Sequence, residues 1–181
     1  MRRVCVFCAG SLSVRLVYAD AARAFGVELA ARNVGLVTGG GRVGLMGVVA
    51  DAVLEAGGEA VGVIPRFLVD RELAHDGLTE LHVVESLHER KALMHELSDA
   101  FVALPGGFGT LDELAEAITW RQLGLHAKPI GLLDVEGYWA GLLAFVERAV
   151  TDGLVRPEHA ASLVVDSDAP ALVDRILGVS A

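Results

Sequence analysis

Several features that would indicate particular partners are scarce in this sequence. The chain has no run of basic residues, and its apolar stretches fall short of the roughly 18 residues that span a bilayer. A formal net charge of −9 makes a nucleic acid or an anionic membrane an unsuitable partner. An anionic small ligand would therefore need local donors. The apolar run at the N-terminus is too short for a secretory signal, so we expect a cytoplasmic protein.

Cysteine is also scarce, and the two cysteines of the chain form a C-x-x-C motif at Cys5 and Cys8. A redox motif of this kind lies in a loop that opens a helix. This one lies in RVCVFCA, a predicted strand, where residues three apart point to opposite faces. We therefore predict two packed thiols. The six histidines are scattered, and no set of His, Cys and acidic residues has the spacing of metal ligands, so we expect no metal site.

What the sequence has is an alternation of short apolar runs and longer amphipathic ones. Its 181 residues suit one domain, 1–181, and a composition that is 53% hydrophobic but 6% aromatic suits helices packed closely on a sheet. Strands are predicted at 3–9, 34–41, 59–65, 81–86, 99–107, 128–134 and 161–167, and helices at Leu16–Asn33, Val43–Ala56, Leu87–Leu97, Thr110–Leu123, Tyr138–Asp152 and Ala169–Leu177, with 66–80 irregular. The pattern predicts a Rossmann-like doubly wound α/β fold, a parallel sheet with helices on both faces that binds ligands at the carboxyl ends of its strands.

The first glycine turn, Gly39–Gly44, satisfies G-x-G-x-x-G between a strand and a helix. A nicotinamide-binding unit would also need an acid at the end of the next strand, and Ile64 and Pro65 stand there instead. We therefore interpret the glycines as allowing close approach of a ligand or a helix. A purely structural turn is the alternative.

The second glycine turn, in PGGFGTLDE, follows the strand at 99–107. Its glycines remove the Cβ atoms that would block close contact. A helix beginning near Thr110 leaves backbone N–H groups unpaired, and those donors favour a phosphate. Thr110 could donate to that phosphate or simply cap the helix. No Gly-Lys-Ser/Thr follows, so this is not a Walker-type loop.

Acidic residues follow this turn at Asp112, Glu113 and Glu116. Glu113 and Glu116 are three apart and share a helix face. Acids near a bound phosphate require a cation, and Arg90 and Lys91 begin the preceding helix at the same sheet edge. The alternatives are acids that only complement the helix dipole and basic residues on a solvated face.

These segments together resemble the Lonely Guy family of cytokinin riboside 5′-monophosphate phosphoribohydrolases, whose members are often labelled lysine decarboxylases. The resemblance rests on HERKALM paired with PGGFGTLDE, and on GGGRVGLMG before them, and it extends over nearly the whole chain. It implies a Rossmann-like fold, a homodimer, no cofactor, and a nucleoside 5′-monophosphate as the small-molecule partner. The implied reaction is hydrolysis of the N-glycosidic bond of an N6-modified adenosine 5′-monophosphate, which releases the base and ribose 5-phosphate.

The resemblance also implies roles for individual residues. Arg90 and Glu113 would form the catalytic pair. The implied nucleotide contacts are Glu72, Arg90, Lys91, Met94, Gly106, Gly107, Phe108, Gly109, Thr110, Leu111, Asp112 and Thr119. The chemistry agrees, since a carboxylate stabilises an oxocarbenium-like sugar and orients water, and an arginine meets the charge of the leaving base.

Two rival functions are open at this stage. A pyridoxal-phosphate decarboxylase needs a Schiff-base lysine, and Lys91 and Lys128 are the lysines of this chain. A non-catalytic nucleotide or molybdenum-cofactor carrier of the same fold would not require the pair of Arg90 and Glu113.

Overall fold

The computed structural model describes residues 1–71 and 73–178, in which seven strands form one parallel sheet. The strands are β1 Arg3–Phe7, β2 Gly35–Thr38, β3 Ala60–Pro65, β4 Glu80–Val84, β5 Ala100–Ala103, β6 Ile130–Leu133 and β7 Leu163–Asp166. The helices are α1 Leu16–Ala31, α2 Gly44–Glu55, α3 Arg66–Val69, α4 Leu87–Glu96, α5 Phe108–Gln122, α6 Ala140–Thr151, α7 Pro157–Ala160 and α8 Ala169–Leu177.

Both faces of the sheet are covered, which confirms the doubly wound fold. In β1, Val4 and Val6 belong to one core cluster and Cys5 and Phe7 to the other, as expected from the alternation of a strand. Helices α1, α2 and α8 pack on the first face, whereas α4 and α5 pack on the second. Cys8 lies in the first cluster and Cys5 in the second, so the prediction of two buried thiols on opposite faces is confirmed.

The order of the strands places one topological switch point in the sheet. The order is β4-β3-β2-β1-β5-β6-β7, so the chain proceeds outward from β1 in one direction and from β5 in the other. The loops that follow β1 and β5 diverge at this point and leave a crevice between them. The Ala9 N–H donates to the carbonyl oxygen of Pro105 over 3.2 Å and joins the two loops below the crevice.

Three predicted boundaries are wrong for identifiable reasons. Helix α5 begins at Phe108, not at Thr110, because Gly107 in extended backbone is its N-cap and Gly109 is tolerated in the first turn. Residues 66–80 are not wholly irregular, since α3 occupies Arg66–Val69 directly after Pro65. Helix α1 ends at Ala31, before Asn33, which adopts a positive φ of 54°. None of the helices in the described ranges combines the length and apolarity needed to cross a membrane.

Candidate active site

A cavity of about 290 Å³ opens at the switch point of the sheet, and we call it the first chamber. Its walls come from the loop after β1, the start of α5, and single side chains of α2 and α4. The lining residues are Cys8, Ala9, Gly10, Ser11, Met46, Arg90, Gly107, Gly109, Thr110 and Glu113. The wall is thus mostly main chain and small side chains, with one cationic and one anionic group.

The charged groups of the first chamber are the paired side chains of Arg90 and Glu113. Arg90 Nη1 donates to Glu113 Oε1 over 2.7 Å, and the two side chains are only 11% and 10% exposed. Burial raises the pKa of the Glu113 carboxyl, and the charge of Arg90 opposes that rise. A carboxylate held in this way is a stronger base than one in free solution.

The start of helix α4 is fixed by capping bonds, which orient Arg90. The Glu89 N–H donates to Ser86 Oγ over 3.1 Å, and the side chain of Glu89 accepts from the Glu85 N–H over 2.9 Å. This arrangement is close to a capping box. On the next residue, Arg90 Nε donates to the carbonyl oxygen of Val63 in β3 over 3.1 Å. The guanidinium is therefore held between β3 and α5.

The first glycine turn makes room for that guanidinium. A Cβ atom at Gly39 would lie 1.7 Å from Arg90 Nη2, well inside any permitted contact. Gly44 has a φ of +68°, and a Cβ there would meet the backbone of Ala9 and Ser11. The turn therefore allows close approach, but the groups that approach it are the side chain of Arg90 and the backbone of Ala9 and Ser11, and the approach of a ligand stays a prediction.

The second glycine turn and the N-terminus of α5 form a cradle of backbone donors. The first-turn N–H groups of a helix have no intrahelical partner, and Gly107, Gly109 and Thr110, at this end of α5, line the first chamber. Thr110 does not cap the helix. Its buried side chain packs over Gly106, where a Cβ atom would be 2.0 Å from Thr110 Oγ1. The hydroxyl of Tyr138 donates to the carbonyl oxygen of Gly106 and orients the turn.

Lys91 bonds to acidic residues of α5. Its ammonium lies 3.0 Å from Asp112 Oδ2, 3.3 Å from Asp112 Oδ1 and 3.0 Å from Glu116 Oε2. Burial opposes the charge of Lys91, yet the hydrogen bonds to Glu116 and Asp112 leave its pKa raised. The residue is therefore a buried ammonium ion.

A second chamber of about 190 Å³ adjoins the first, and its wall is largely apolar. The two chambers share Gly10, Met46 and Arg90. The remaining lining residues are Gly39, Gly41, Val43, Ile64, Leu68 and Leu73. Met46 is held in place because its sulfur accepts from the Gly41 N–H over 3.1 Å. The chambers therefore form one cleft with a donor-rich end and an apolar end.

The structure brings some of the predicted site residues to this cleft and places others elsewhere. Arg90, Gly107, Gly109, Thr110 and Glu113 line the first chamber. Gly106 supports the turn, and Lys91 and Asp112 pair with each other behind the wall. Glu72 lies outside the described residues.

Four other predicted residues do not line either chamber. Met94 is a core residue, because the face of α4 that carries it lies on the sheet. Phe108 is 92% exposed and Leu111 is 38% exposed, on the outer side of α5. Thr119 is exposed as well. It lies six residues after Glu113 on α5, which places it about 240° around the helix and about 9 Å further along the helix axis.

Sequence reasoning missed the residues that follow β1 and the methionine of α2. Ala9, Gly10 and Ser11 line the first chamber because β1 borders the switch point, and Met46 lines both chambers. The available signal was the position of AGS directly after the first predicted strand. The order of the strands, which identifies β1 as the neighbour of β5, was missing.

Among the described residues, the side chains of the cleft offer neither a group of metal ligands nor an activated nucleophile. Within 1–71 and 73–178, no three His, Cys, Asp or Glu residues are grouped so as to hold a metal ion. Cys8 touches the first chamber, but burial raises the pKa of its thiol, so it is a poor nucleophile. Neither lysine lines a chamber, since Lys91 is bonded to α5 and Lys128 donates to the carbonyl oxygen of His95.

Comparison with known proteins gives consistent matches over most of the chain. A family model described as possible lysine decarboxylase matches residues 46–176. The probable cytokinin riboside 5′-monophosphate phosphoribohydrolase LOGL9 of Oryza sativa subsp. japonica is 55% identical over 175 residues, 97% of this chain and 77% of that protein. The cytokinin riboside 5′-monophosphate phosphoribohydrolase LOG1 of Arabidopsis thaliana is 47% identical over 97% of this chain and 82% of its own length.

Solved structures resemble the chain in fold. The molybdenum cofactor carrier protein from Chlamydomonas reinhardtii matches with a TM-score of 0.76 and 24% identity, over 98% of each chain. The molybdenum cofactor binding protein from Rippkaea orientalis matches with a TM-score of 0.74 and 21% identity, over 98% of this chain and 96% of that one. At these identities the likeness concerns the fold alone.

Proposed function

Since this chain belongs to the family of cytokinin riboside 5′-monophosphate phosphoribohydrolases, the Lonely Guy family, we propose that it hydrolyses the N-glycosidic bond of an adenosine 5′-monophosphate. The products would be the free base, N6-modified or plain adenine, and ribose 5-phosphate. The observation that carries the proposal is the buried pair of Arg90 and Glu113, located between the backbone cradle and the apolar chamber.

The shape of the cleft supports one orientation of the nucleotide. The 5′-phosphate is an anion and suits the N–H groups of the cradle at Gly107–Thr110. The base is a flat, weakly polar ring and suits the second chamber. The bond to be broken then lies between the chambers, where Arg90 lines both. Binding energy from the phosphate is converted into orientation of the sugar against Glu113.

Glu113 acts on the sugar and on water in this proposal. As the C1′–N9 bond breaks, positive charge develops on the sugar, and the Glu113 carboxylate stabilises it. The same carboxylate orients a water molecule and accepts its proton as the water oxygen bonds to C1′. Of the described residues lining the first chamber, Glu113 is the one that bears a carboxylate.

Arg90 acts on the leaving base. The electron pair of the broken bond moves onto the base, and a fixed cation nearby stabilises that charge in the transition state. The base then takes up a proton from solvent, and Glu113 releases to solvent the proton that it accepted from water. Because a guanidinium hardly loses a proton, the contribution is electrostatic rather than acidic. The bonds from Arg90 to Val63 and Glu113 fix the cation before the substrate binds, so little reorganisation is needed during the reaction.

Two rival functions fit these residues less well. A pyridoxal-phosphate decarboxylase would require a lysine at the cleft, and both Lys91 and Lys128 are bonded elsewhere. A carrier of the same fold would have no use for a buried carboxylate with a raised pKa that faces the bound ligand. Release of free base from AMP distinguishes hydrolysis from carriage.

The proposal predicts the behaviour of Glu113→Gln. We expect turnover of AMP to fall by roughly three or more orders of magnitude, because the amide can neither accept the proton of water nor balance the sugar cation. Adenine release is followed by chromatography, and AMP binding by calorimetry confirms that the variant is folded. Glu147→Gln, at an exposed position of α6, is the matched control and should keep the parental rate.

Two results would contradict this assignment. One is a Glu113→Gln variant that hydrolyses AMP at the parental rate, which would show that Glu113 takes no part in the reaction. The other is equal turnover of adenosine and AMP by the parental protein, which would show that the cradle does not bind the phosphate.

We also propose the homodimer that the family suggests and the cytoplasmic location expected from the sequence. Large apolar side chains are well exposed at the C-terminal end of α5 and on α6, namely Leu123, Leu125 and Phe145. Such groups favour association with a second copy. Sedimentation analysis at several concentrations tests the dimer, and cell fractionation tests the location.

A further inference from the structure

The structure assigns to Lys91 a positioning role: it fixes α5 against α4 so that Glu113 meets Arg90, and it does not contact the nucleotide. This inference rests on the proposed function, and it differs from the role that the family resemblance implies for Lys91. Lys91 stands next to Arg90 on α4, and its partners Asp112 and Glu116 flank Glu113 on α5.

The ammonium of Lys91 is held by two carboxylates of α5. An ammonium ion has three N–H groups, and Lys91 Nζ has three carboxylate oxygens of Asp112 and Glu116 at 3.0 to 3.3 Å. Its residue is 9% exposed and lines neither chamber. Contact with a phosphate would require Lys91 to leave these partners, and two carboxylates would then lose their counter-ion.

The two helices need such a link because they rest on different strands. Helix α4 packs on β3 and β4, whereas α5 packs on β1 and β5. The bond between Arg90 and Glu113 therefore joins two separately supported elements. Lys91 adds a second link one residue along α4, and its partners lie on either side of Glu113. Two adjacent links restrain both the distance between the helices and the rotation of α5.

The charge of Lys91 also acts on Glu113. Burial raises the pKa of Glu113, Arg90 and Lys91 on α4 lower it, and Asp112 raises it. Cys5 and Cys8 are close enough to this carboxylate for its charge to raise the pKa of their thiols, and both thiols are neutral. Removing the positive charge of Lys91 therefore moves the pKa of Glu113 upward, which a loss of packing alone would not do.

The test compares Lys91→Met with Lys91→Arg, Glu116→Gln and the double variant Lys91→Met/Glu116→Gln. We expect Lys91→Met to lower kcat about 10- to 100-fold, as for a misplacement of about 1 Å. The Kd of ribose 5-phosphate should stay within about twofold. Lys91→Arg should recover most of the rate, and the double variant should be no slower than Lys91→Met, because both changes break the same link.

Two further readouts separate positioning from substrate contact. With adenosine, which has no phosphate, Lys91→Met should lose the same factor in kcat as it loses with AMP. The acidic limb of the pH–rate profile should move to higher pH in Lys91→Met and return in Lys91→Arg. Lys128→Met changes the other lysine of the chain, which is bonded to His95, and should leave kcat unchanged. If Lys91→Met does not fold, Glu116→Gln carries the kcat and Kd readouts, because it breaks the same link between the helices.

The opposite outcomes overturn the inference. A Kd of ribose 5-phosphate that rises tenfold or more in Lys91→Met, with kcat nearly unchanged, would place Lys91 on the nucleotide. If the parental protein releases no base, both the proposed function and the positioning role of Lys91 are wrong. If the parental protein is active and Lys91 binds the substrate, only the positioning role is wrong.

Discussion

Replacing Gly39 with alanine tests whether the position of the Arg90 guanidinium matters for the reaction, and it changes no charged group. The added Cβ would lie 1.7 Å from Arg90 Nη2, 2.8 Å from its Cζ and 3.2 Å from Met46 Cε. Ordinary contact begins near 3.4 Å, so the guanidinium must move by about 1.7 Å. A shift of that size exceeds what the 2.7 Å bond to Glu113 can absorb.

The expected loss follows from that bond. A hydrogen bond to a charged group contributes roughly 1.5–3 kcal/mol, and a misplacement of about 1 Å can reduce a rate roughly 100-fold. We therefore expect kcat for AMP to fall about 100-fold in Gly39→Ala. The melting temperature should fall by roughly 3–12 °C, because the same bond stabilises the folded protein and 1 kcal/mol corresponds to roughly 2–4 °C at this chain length.

The assay is release of adenine from AMP, combined with thermal unfolding of each variant. Gly141→Ala is the matched control, since a Cβ at Gly141 meets nothing within 4 Å and its helix favours alanine. That variant should retain the parental rate. A folded Gly39→Ala protein with parental kcat would refute the reasoning, because the position of the Arg90 guanidinium would then be irrelevant to the reaction.

Two further predictions concern the cradle and the core. In Gly106→Ala, the added Cβ would lie 2.0 Å from Thr110 Oγ1, so the first turn of α5 must shift. The KM for AMP should then rise tenfold or more, because the backbone donors of that turn are displaced. An unchanged KM would show that this turn does not bind the phosphate. Burial lowers the pKa of His95 from 6.5 to about 4. The unfolded chain binds a proton below pH 6.5 that the folded chain binds only below pH 4, so the free energy of unfolding should decrease by roughly 3 kcal/mol as pH falls through this window. His95→Phe should remove that decrease in urea titrations, whereas His88→Gln, at an exposed position, should retain it; equal pH dependence of both variants would rule out His95 as the source.

The sequence was sufficient for the parts of the site that are local. Gly106 and Gly107 precede a helix, Gly109 lies in its first turn, and Glu113 lies one turn further on. Local pattern therefore identifies both the cradle and the carboxylate. The fold class was equally accessible, because continuous apolar strands between helices allow few alternatives.

The parts that depend on strand order were not accessible. Gly39 is 51 residues from Arg90 in the numbering, and their contact exists only because β2 and β3 lie between β1 and β4. Met94 and Thr119 were predicted at the site because they belong to matching motifs, but helix rotation directs one to the core and the other to solvent. A single-domain organisation over 1–181 and the homodimer stay predictions.

The cleft is assembled from segments that can vary separately. Val43, Leu68 and Leu73 line its apolar end and do not line the first chamber at the other end. Substitutions that enlarge or narrow this apolar wall should change which modified purines bind, and they leave the proposed phosphate-binding residues of the first chamber unchanged. Directed evolution aimed at a new nucleobase would therefore have a compact set of positions to diversify, and Met46, common to both ends, would be the position to leave alone.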